Sequence, residues 1–328
     1  MYKAGAPFTS QLEKQDPSAQ YKGTGWEKYD AYQRQLKRFD IRVFGRESDC
    51  LQKFFATADS AALFPEYVAR AVKQGAEEAK VLELISASRT NTNSMDYRTI
   101  VSLTGQEDSA VIVEEGGFLP ETAIKLRENL VRLHKRGRML CASYEALKFQ
   151  RIDLFTVALR QIGACIAKAQ LKDAVEVLIN GDGNENPAQV IKTAKSGEVG
   201  YTDLLNLWNS FGDYEMNVLL ASPDMMLKLL QIKELQDPAT GLNFQGTGRL
   251  STPLGAVLVK SSAVPEGTVV GLDRRFALET VTAGDVLVEY DKLIDCQLER
   301  AAVTAIAGFS KLFPEAVKVL KVLEEQAR

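Results

Sequence analysis

Residues Asp153–Ile179 read DLFTVALRQIGACIAKAQLKDAVEVLI, the longest uninterrupted helical signal in the chain, and both ends of the stretch are marked. Asp153 offers a carboxylate to the first free backbone N–H groups and to the positive end of the helix dipole, so it is read as the N-cap. Asn180 and Gly181 close the helix, because Gly tolerates the left-handed backbone of a helix C-terminus, and Gly183 discourages continuation. At 1.5 Å per residue the rod is about 40 Å long, beyond the common length in globular proteins and enough for a spine. Phe155, Leu159, Ile162 and Ile166, then Ala167, Leu171, Ala174 or Val175 and Leu178, step by three and four residues. This stripe predicts burial along the whole length, with Arg160, Lys168, Lys172, Asp173 and Glu176 on the wetter side. From these residues alone the expectation is a long helix packed on a sheet in an α+β protein.

The chain has 328 residues, 45% hydrophobic and 25% charged, the make-up of one large or two modest folded domains. A net charge of -3 without a charge block argues against a protein that works by neutralising nucleic-acid phosphates or by lying on a membrane surface. No window approaches the apolar length of a membrane span. Cys50, Cys141, Cys165 and Cys296 lie far apart with no CxxC pair, so neither a zinc site nor a disulfide framework is expected, and reduced thiols in the cytoplasm are the default. The single histidine, His134, lies in the basic run Arg132–Arg138 with no cysteine or carboxylate near it in sequence. That disfavours Ser-His-Asp, Cys-His and multi-histidine metal chemistry.

Outward from the spine, residues 1–58 are polar and broken by glycine and proline, an extended arm whose one amphipathic segment, Trp26–Phe39, is expected to dock on a surface, of its own subunit or of another. From Ser60 a short helix runs to about Gln74 and leads through Gly75 into a strand over Lys80–Ser86. Tyr97–Leu103 and Ala110–Val113, separated by the turn-like Thr104–Asp108, suit a hairpin. Over Ile124–Leu133 helix and strand both fit the periodicity. Glu114 and Glu115 are weighed as an acid–base pair, but adjacent strand residues face opposite ways, which favours a solvated or interface role. The basic run is weighed as a phosphate patch and read as an exposed ladder.

Asn180-Gly181-Asp182-Gly183 is a poor phosphate loop, since it follows a helix instead of preceding one, and no GxxxxGK[ST] occurs. Helix and strand then alternate: a helix over Tyr201–Phe211, a strand over Met216–Ala221, a helix opened by Ser222-Pro223-Asp224 and running to Leu235, a turn at Asp237–Gly241, and strands over Ala256–Val259, Val269–Gly271 and Phe276–Thr282. Gly246-Thr247-Gly248 is weighed as a ligand loop and, with no catalytic partner nearby, read as a plain loop, for which an intersubunit contact is one setting. From Asp285 alternation continues past Ile306 and reads as one long strand, and Phe309–Val319 closes the chain around Pro314.

The order of these pieces resembles the major capsid proteins of tailed bacteriophages, the Hong-Kong-97-type capsid fold, over roughly residues 60 to 322. The resemblance is carried by Ser60-Ala61-Ala62-Leu63-Phe64-Pro65-Glu66, the segment from Val113-Glu114-Glu115-Gly116-Gly117 to Pro120, Ser143-Tyr144-Glu145-Ala146-Leu147, the spine ending Leu178-Ile179-Asn180-Gly181-Asp182-Gly183, and Val288-Glu289-Tyr290-Asp291-Lys292-Leu293-Ile294-Asp295. It implies an α+β fold with an N-terminal arm at 1–59 and a peripheral domain that begins at 60–87. An extended two-stranded loop at 88–134 and the rest of the peripheral domain at 135–197, with the spine at 153–179, come next. An axial domain at 198–285 and a C-terminal peripheral strand at 286–328 complete it. It further implies a structural, non-enzymatic subunit that self-assembles as hexamers and pentamers into an icosahedral or prolate virion shell, formed in the host cytoplasm around double-stranded DNA. A separate scaffold protein, a portal and decoration proteins are the implied partners, the scaffold because only about 60 residues precede the body. No catalytic, cofactor-binding or metal-binding residue is assigned, and the cross-linking chemistry of some members is not carried over. The alternatives are an encapsulin-type compartment shell and a soluble α/β enzyme working without histidine.

Overall fold

The computed structural model describes residues 8–78, 81–94, 96–103, 115, 123–236, 254–284 and 286–323. Its helices are α1 (Phe8–Gln15), α2 (Ala31–Arg38), α3 (Ala58–Ala61), α4 (Phe64–Glu78), α5 (Val81–Ile85), α6 (Tyr144–Phe149), α7 (Ile152–Asn180), α8 (Tyr201–Asn209), α9 (Pro223–Leu230) and α10 (Lys233–Gln236). Its strands are β1 (Ser86–Asn91), β2 (Ile100–Leu103), β3 (Ala123–Leu126), β4 (Leu133–Ser143), β5 (Gln189–Ser196), β6 (Val218–Ala221), β7 (Val257–Lys260), β8 (Thr268–Leu272), β9 (Leu278–Thr282), β10 (Leu287–Leu293), β11 (Leu298–Lys311) and β12 (Val317–Leu323). The chain forms two compact units, one of Met1–Ala79, Arg136–Ala167 and Asp285–Ala305, the other of Lys80–Lys135, Lys168–Gly284 and Ile306–Arg328.

The helix α7 is the predicted spine, one residue longer at each end. Its start corrects the capping assignment: Asp153 lies inside the first turn, where its carboxylate accepts the Leu154 N–H at 2.8 Å and pairs with Arg151 at 2.9 Å. At the other end Gly181 takes φ +90° and its N–H closes the last turn on the Val177 carbonyl at 2.9 Å, as the sequence implied. The predicted stripe is buried, from Leu159, Ile162 and Ile166 in the first unit to Leu171, Ala174, Val175 and Leu178 in the second.

In the first unit the N-terminal segment holds two α-helices and is folded against its own chain. Asp30 caps α2 in a reciprocal box with Gln33, which is why the helix begins at Ala31 and leaves Trp26 in a turn. Tyr32, Leu36 and Ile41 enter one core with Leu63, Phe64, Tyr67, Val68 and Val72 and with Leu159, Ile162 and Ile166. Arg34 is fully buried, which is tolerable because its guanidinium donates to Asp16 Oδ2, the Asp16 and Tyr29 carbonyls and Ser18 Oγ. The surface that the amphipathic helix covers therefore belongs to its own unit. Gly75 does not end the preceding helix, and α4 runs on to Glu78. A Cβ at Gly75 would stand 2.1 Å from the Arg160 carbonyl oxygen, and one at Gly163 would stand 1.9 Å from that of Val72. The two glycines are facing notches that let α4 and α7 touch backbone to backbone. The predicted long C-terminal strand is instead the antiparallel pair β10–β11, reversed at Gln297 with φ +54°, so that Val288 faces Val303 and Leu293 faces Leu298.

In the second unit the described part of Lys80–Ser86, read as a strand, is the helix α5 leading into β1 at Ser86, and Lys80 falls outside the described residues; a short apolar run does not distinguish helix from strand. The strand β1 pairs parallel with β9, which pairs antiparallel with the end of β11. In a mixed sheet of order β5-β12-β8-β6-β7 the inner strands β8 and β6 and the first half of β12 are buried on both faces, and the edge strands β5 and β7 are largely exposed. Val218, Leu220, Val270 and Leu272 point to the core lined by Leu171, Val175 and Leu178, whereas Leu219, Ala221, Val269 and Leu320 point to α8 and α9 through Leu204, Leu207, Met225 and Leu229. Two-residue alternation sends neighbouring side chains into opposite cores, and this explains the continuous apolar runs. The helix expected over Pro223–Leu235 is broken at Gln231–Ile232 into α9 and α10.

Candidate assembly surfaces

Among the described residues β2 and β3 form a two-stranded sheet of their own, with Ile100 opposite Leu126 and Leu103 opposite Ala123. The hairpin is thus present, but its return strand is Ala123–Leu126; the predicted turn at Thr104–Asp108 and strand at Ala110–Val113 fall outside the described residues. The pair next to its root is apolar and open, Ile100 at 56% and Leu126 at 64% exposure, with Lys125 and Arg98 exposed beside it. A two-stranded ribbon with such a pair gains little from water and is marginal in isolation, so it gains stability by lying on another surface.

The ribbon leaves a polar root. Glu279 of β9, 5% exposed, accepts hydroxyl bonds from Tyr97 at 2.6 Å, Thr99 at 2.5 Å and Thr90 at 2.6 Å. Burial, and then this carboxylate, raise the Tyr97 phenol above its ordinary value. On the other connection Arg127 donates to the Leu312 carbonyl at 2.8 Å and lies 3.4 Å from Asp182. Asp182 also accepts from Ser310 Oγ at 2.8 Å and from the Lys311 N–H at 3.1 Å. Burial alone would raise its carboxyl, but hydrogen bonds from Asn184 and Ser310 and the charge of Arg127 hold it below the ordinary carboxylate value. Lys311 is completely buried and donates from Nζ to the Asn186 carbonyl at 2.9 Å. Burial pushes its ammonium down to about 8, against the opposing pull of Asp182 and Glu315.

Other apolar side chains stay open. Phe149 at the end of α6, with Leu154 and Val157 on the first turns of α7, is exposed in the first unit; Leu205 and Trp208 share a face of α8 in the second. Of the residues weighed from sequence, Glu115 is exposed in a turn, while Glu114 and Gly246-Thr247-Gly248 fall outside the described residues. His134 Nδ1 lies 3.4 Å from Asp173 Oδ2, a carboxylate from the spine that sequence proximity did not reveal. All four cysteines are free. Among the described residues no group of three His, Cys, Asp or Glu side chains is placed to hold a metal ion, and no helix is long and apolar enough to cross a membrane. Sequence reasoning missed the root: Glu279, Arg127, Asp182 and Lys311 come from four distant places, and only charge within otherwise apolar strands, at Glu279 and Lys311, could have pointed to it.

The sequence profile described as phage capsid protein matches residues 127–294, just over half of the chain. No curated protein matches the sequence. Among solved structures the chain is similar to the capsid of a native GTA particle, at 16% identity and TM-score 0.57, covering 75% of this chain and 90% of that one. It is similar to the capsid of cyanophage P-SCSP1u, at 17% identity and TM-score 0.55, covering 75% and 88%. A third likeness is to the SrpI encapsulin of Synechococcus elongatus PCC 7942, at 17% identity and TM-score 0.51, covering 76% and 90%. The α+β architecture around the long helix is the Hong-Kong-97-type fold that the sequence resemblance implied. The chain belongs to the phage capsid protein family and is a structural subunit of a capsid shell.

Proposed function

We propose that the chain is the repeating subunit of a tailed-phage head, closing as hexamers and pentamers into an icosahedral or prolate shell around double-stranded DNA, without sequence-specific binding to it. The family match over 127–294 carries this reading. In it, 1–59 serves as the N-terminal arm, 60–87, 135–197 and 286–328 as the peripheral domain, 88–134 as the extended loop that clamps a neighbour, and 198–285 as the axial domain. Self-complementary surfaces on one kind of subunit generate closed symmetry, in which modest contacts are repeated at every interface. A separate scaffold, a portal and decoration proteins complete the proposed head, which assembles in the host cytoplasm.

The test is expression, alone and with the co-encoded head proteins, followed by sedimentation and electron microscopy. Rings or shells are expected. A stable monomer under both conditions contradicts the proposal. The likeness to an encapsulin supports a second reading, a compartment for protein cargo. Particles holding a defined cargo enzyme and no DNA would favour that reading over the first.

A further inference from the structure

Each connection of the β2–β3 hairpin is fastened to its own buried carboxylate. The incoming one gives two hydroxyl bonds, from Tyr97 and Thr99, to Glu279. The outgoing one sets the Arg127 guanidinium against Asp182, and two residues on, in the following bend, Asn129 Nδ2 donates to the Gly183 carbonyl at 2.6 Å. Between the connections the Arg127 N–H donates to the Thr99 carbonyl and the Val131 N–H to the Tyr97 carbonyl, both at 2.9 Å. Thr99 at 1% and Arg127 at 7% exposure are as buried as core residues, although the adjoining pair of the ribbon, Ile100 and Leu126, is open.

A ribbon of two strands has no sheet to fix its direction, so its direction is fixed where it is rooted. A buried carboxylate holds its donors firmly, because losing them leaves a charge without compensation. We propose that Glu279 and Asp182 are positioning residues for shell assembly: they lock the direction in which the hairpin leaves the subunit, so that it meets a neighbouring copy already oriented. The inference rests on the reading of the hairpin as an intersubunit clamp. Pre-orientation removes the entropy that a swinging arm would lose on docking, and it selects one angle between neighbours. The loop after the spine helix, Gly181-Asp182-Gly183, thereby acquires a role: it carries one of the two locks.

The test uses Thr99→Val and Arg127→Met, which remove donors on the hairpin side while each carboxylate keeps its other partners, and Thr99→Ser, which keeps the hydroxyl. Hydrogen exchange in Ile100–Leu103 and Ala123–Leu126 should speed up about tenfold or more in the first two variants and stay near wild type in the third. Exchange in β8 and β12 should be unchanged in Thr99→Val. Shells from Thr99→Val should be heterogeneous in diameter by electron microscopy, and those from Thr99→Ser uniform. Unchanged hairpin exchange in Thr99→Val overturns the proposal, as does faster exchange with uniform shells. If Arg127→Met does not fold, Thr99→Val decides. Failure of the underlying reading looks different: a subunit without its hairpin that closes uniform shells removes the clamp itself, whatever the exchange rates.

Discussion

At the residue scale two buried features set measurable energies. Gly163 has a backbone oxygen 1.9 Å from where a Cβ would stand, so Gly163→Ala must push α4 and α7 apart along a contact that has no flexible side chain to yield. A loss of about 2–4 kcal/mol is expected, with the melting temperature as the readout. A fall of less than about 2 °C would show that the helices do not meet there. Lys311 gives the second expectation. Burial depresses its folded-state pKa to about 8, with Lys318 and Arg127 pushing the same way and Asp182 and Glu315 opposing, whereas the unfolded chain keeps the lysine near 10.5. Between these values the unfolded state binds more protons, so the stability contributed by this site rises as pH climbs from about 8 to 10.5, and the penalty is fully present below 8. Melts of wild type and Lys311→Met across that range should diverge, the wild type gaining on the variant. Parallel curves would mean that Lys311 keeps its proton.

At the level of elements the spine gives a sharp contrast between faces. Leu159 is completely buried and Val157, two residues earlier, is 61% exposed. Leu159→Asp should abolish soluble, folded protein, because an unpaired carboxylate in that core costs several kcal/mol, a large part of a typical total stability. Val157→Asp should fold with a near-normal melt, and circular dichroism separates the two; equal behaviour would overturn the assigned faces. This stripe was legible because a long helix repeats its period many times over, and so were the C-terminal glycine and most strands of the β6–β9 region. Short elements were not. Val81–Ile85 carries too few residues to separate a helix from a strand, and alternation runs unbroken through Cys296 although Gln297 turns the chain back. Gly75 had the composition of a stop signal and the structure of a packing notch, which only the partner helix could reveal. The pairing of β12 with both β5 and β8, and the hairpin root, join residues far apart in the chain, where periodicity carries no information.

For the whole molecule the decisive expectation concerns the hairpin. The Arg127 N–H already donates to the Thr99 carbonyl, so the chain can be closed there by a Gly-Gly link that replaces residues 100–126 and leaves Tyr97, Thr99, Glu279, Arg127 and Asp182 in place. The described part of the excised ribbon contributes an open apolar pair and exposed charge, neither of which stabilises the subunit. The shortened protein should therefore melt within a few degrees of the wild type. Assembly should fail, because each exposed contact is worth about 1 kcal/mol or less by itself and a shell depends on its repetition at every interface. Added salt should weaken wild-type assembly only in part, since screening acts on Arg98 and Lys125 but not on Ile100 and Leu126. Calorimetry reports the first outcome and sedimentation the second. An unfolded product would place the ribbon among the elements that hold the second unit together, and closed shells would assign the clamp to another surface, for which Phe149, Leu154 and Val157 form the next exposed apolar set.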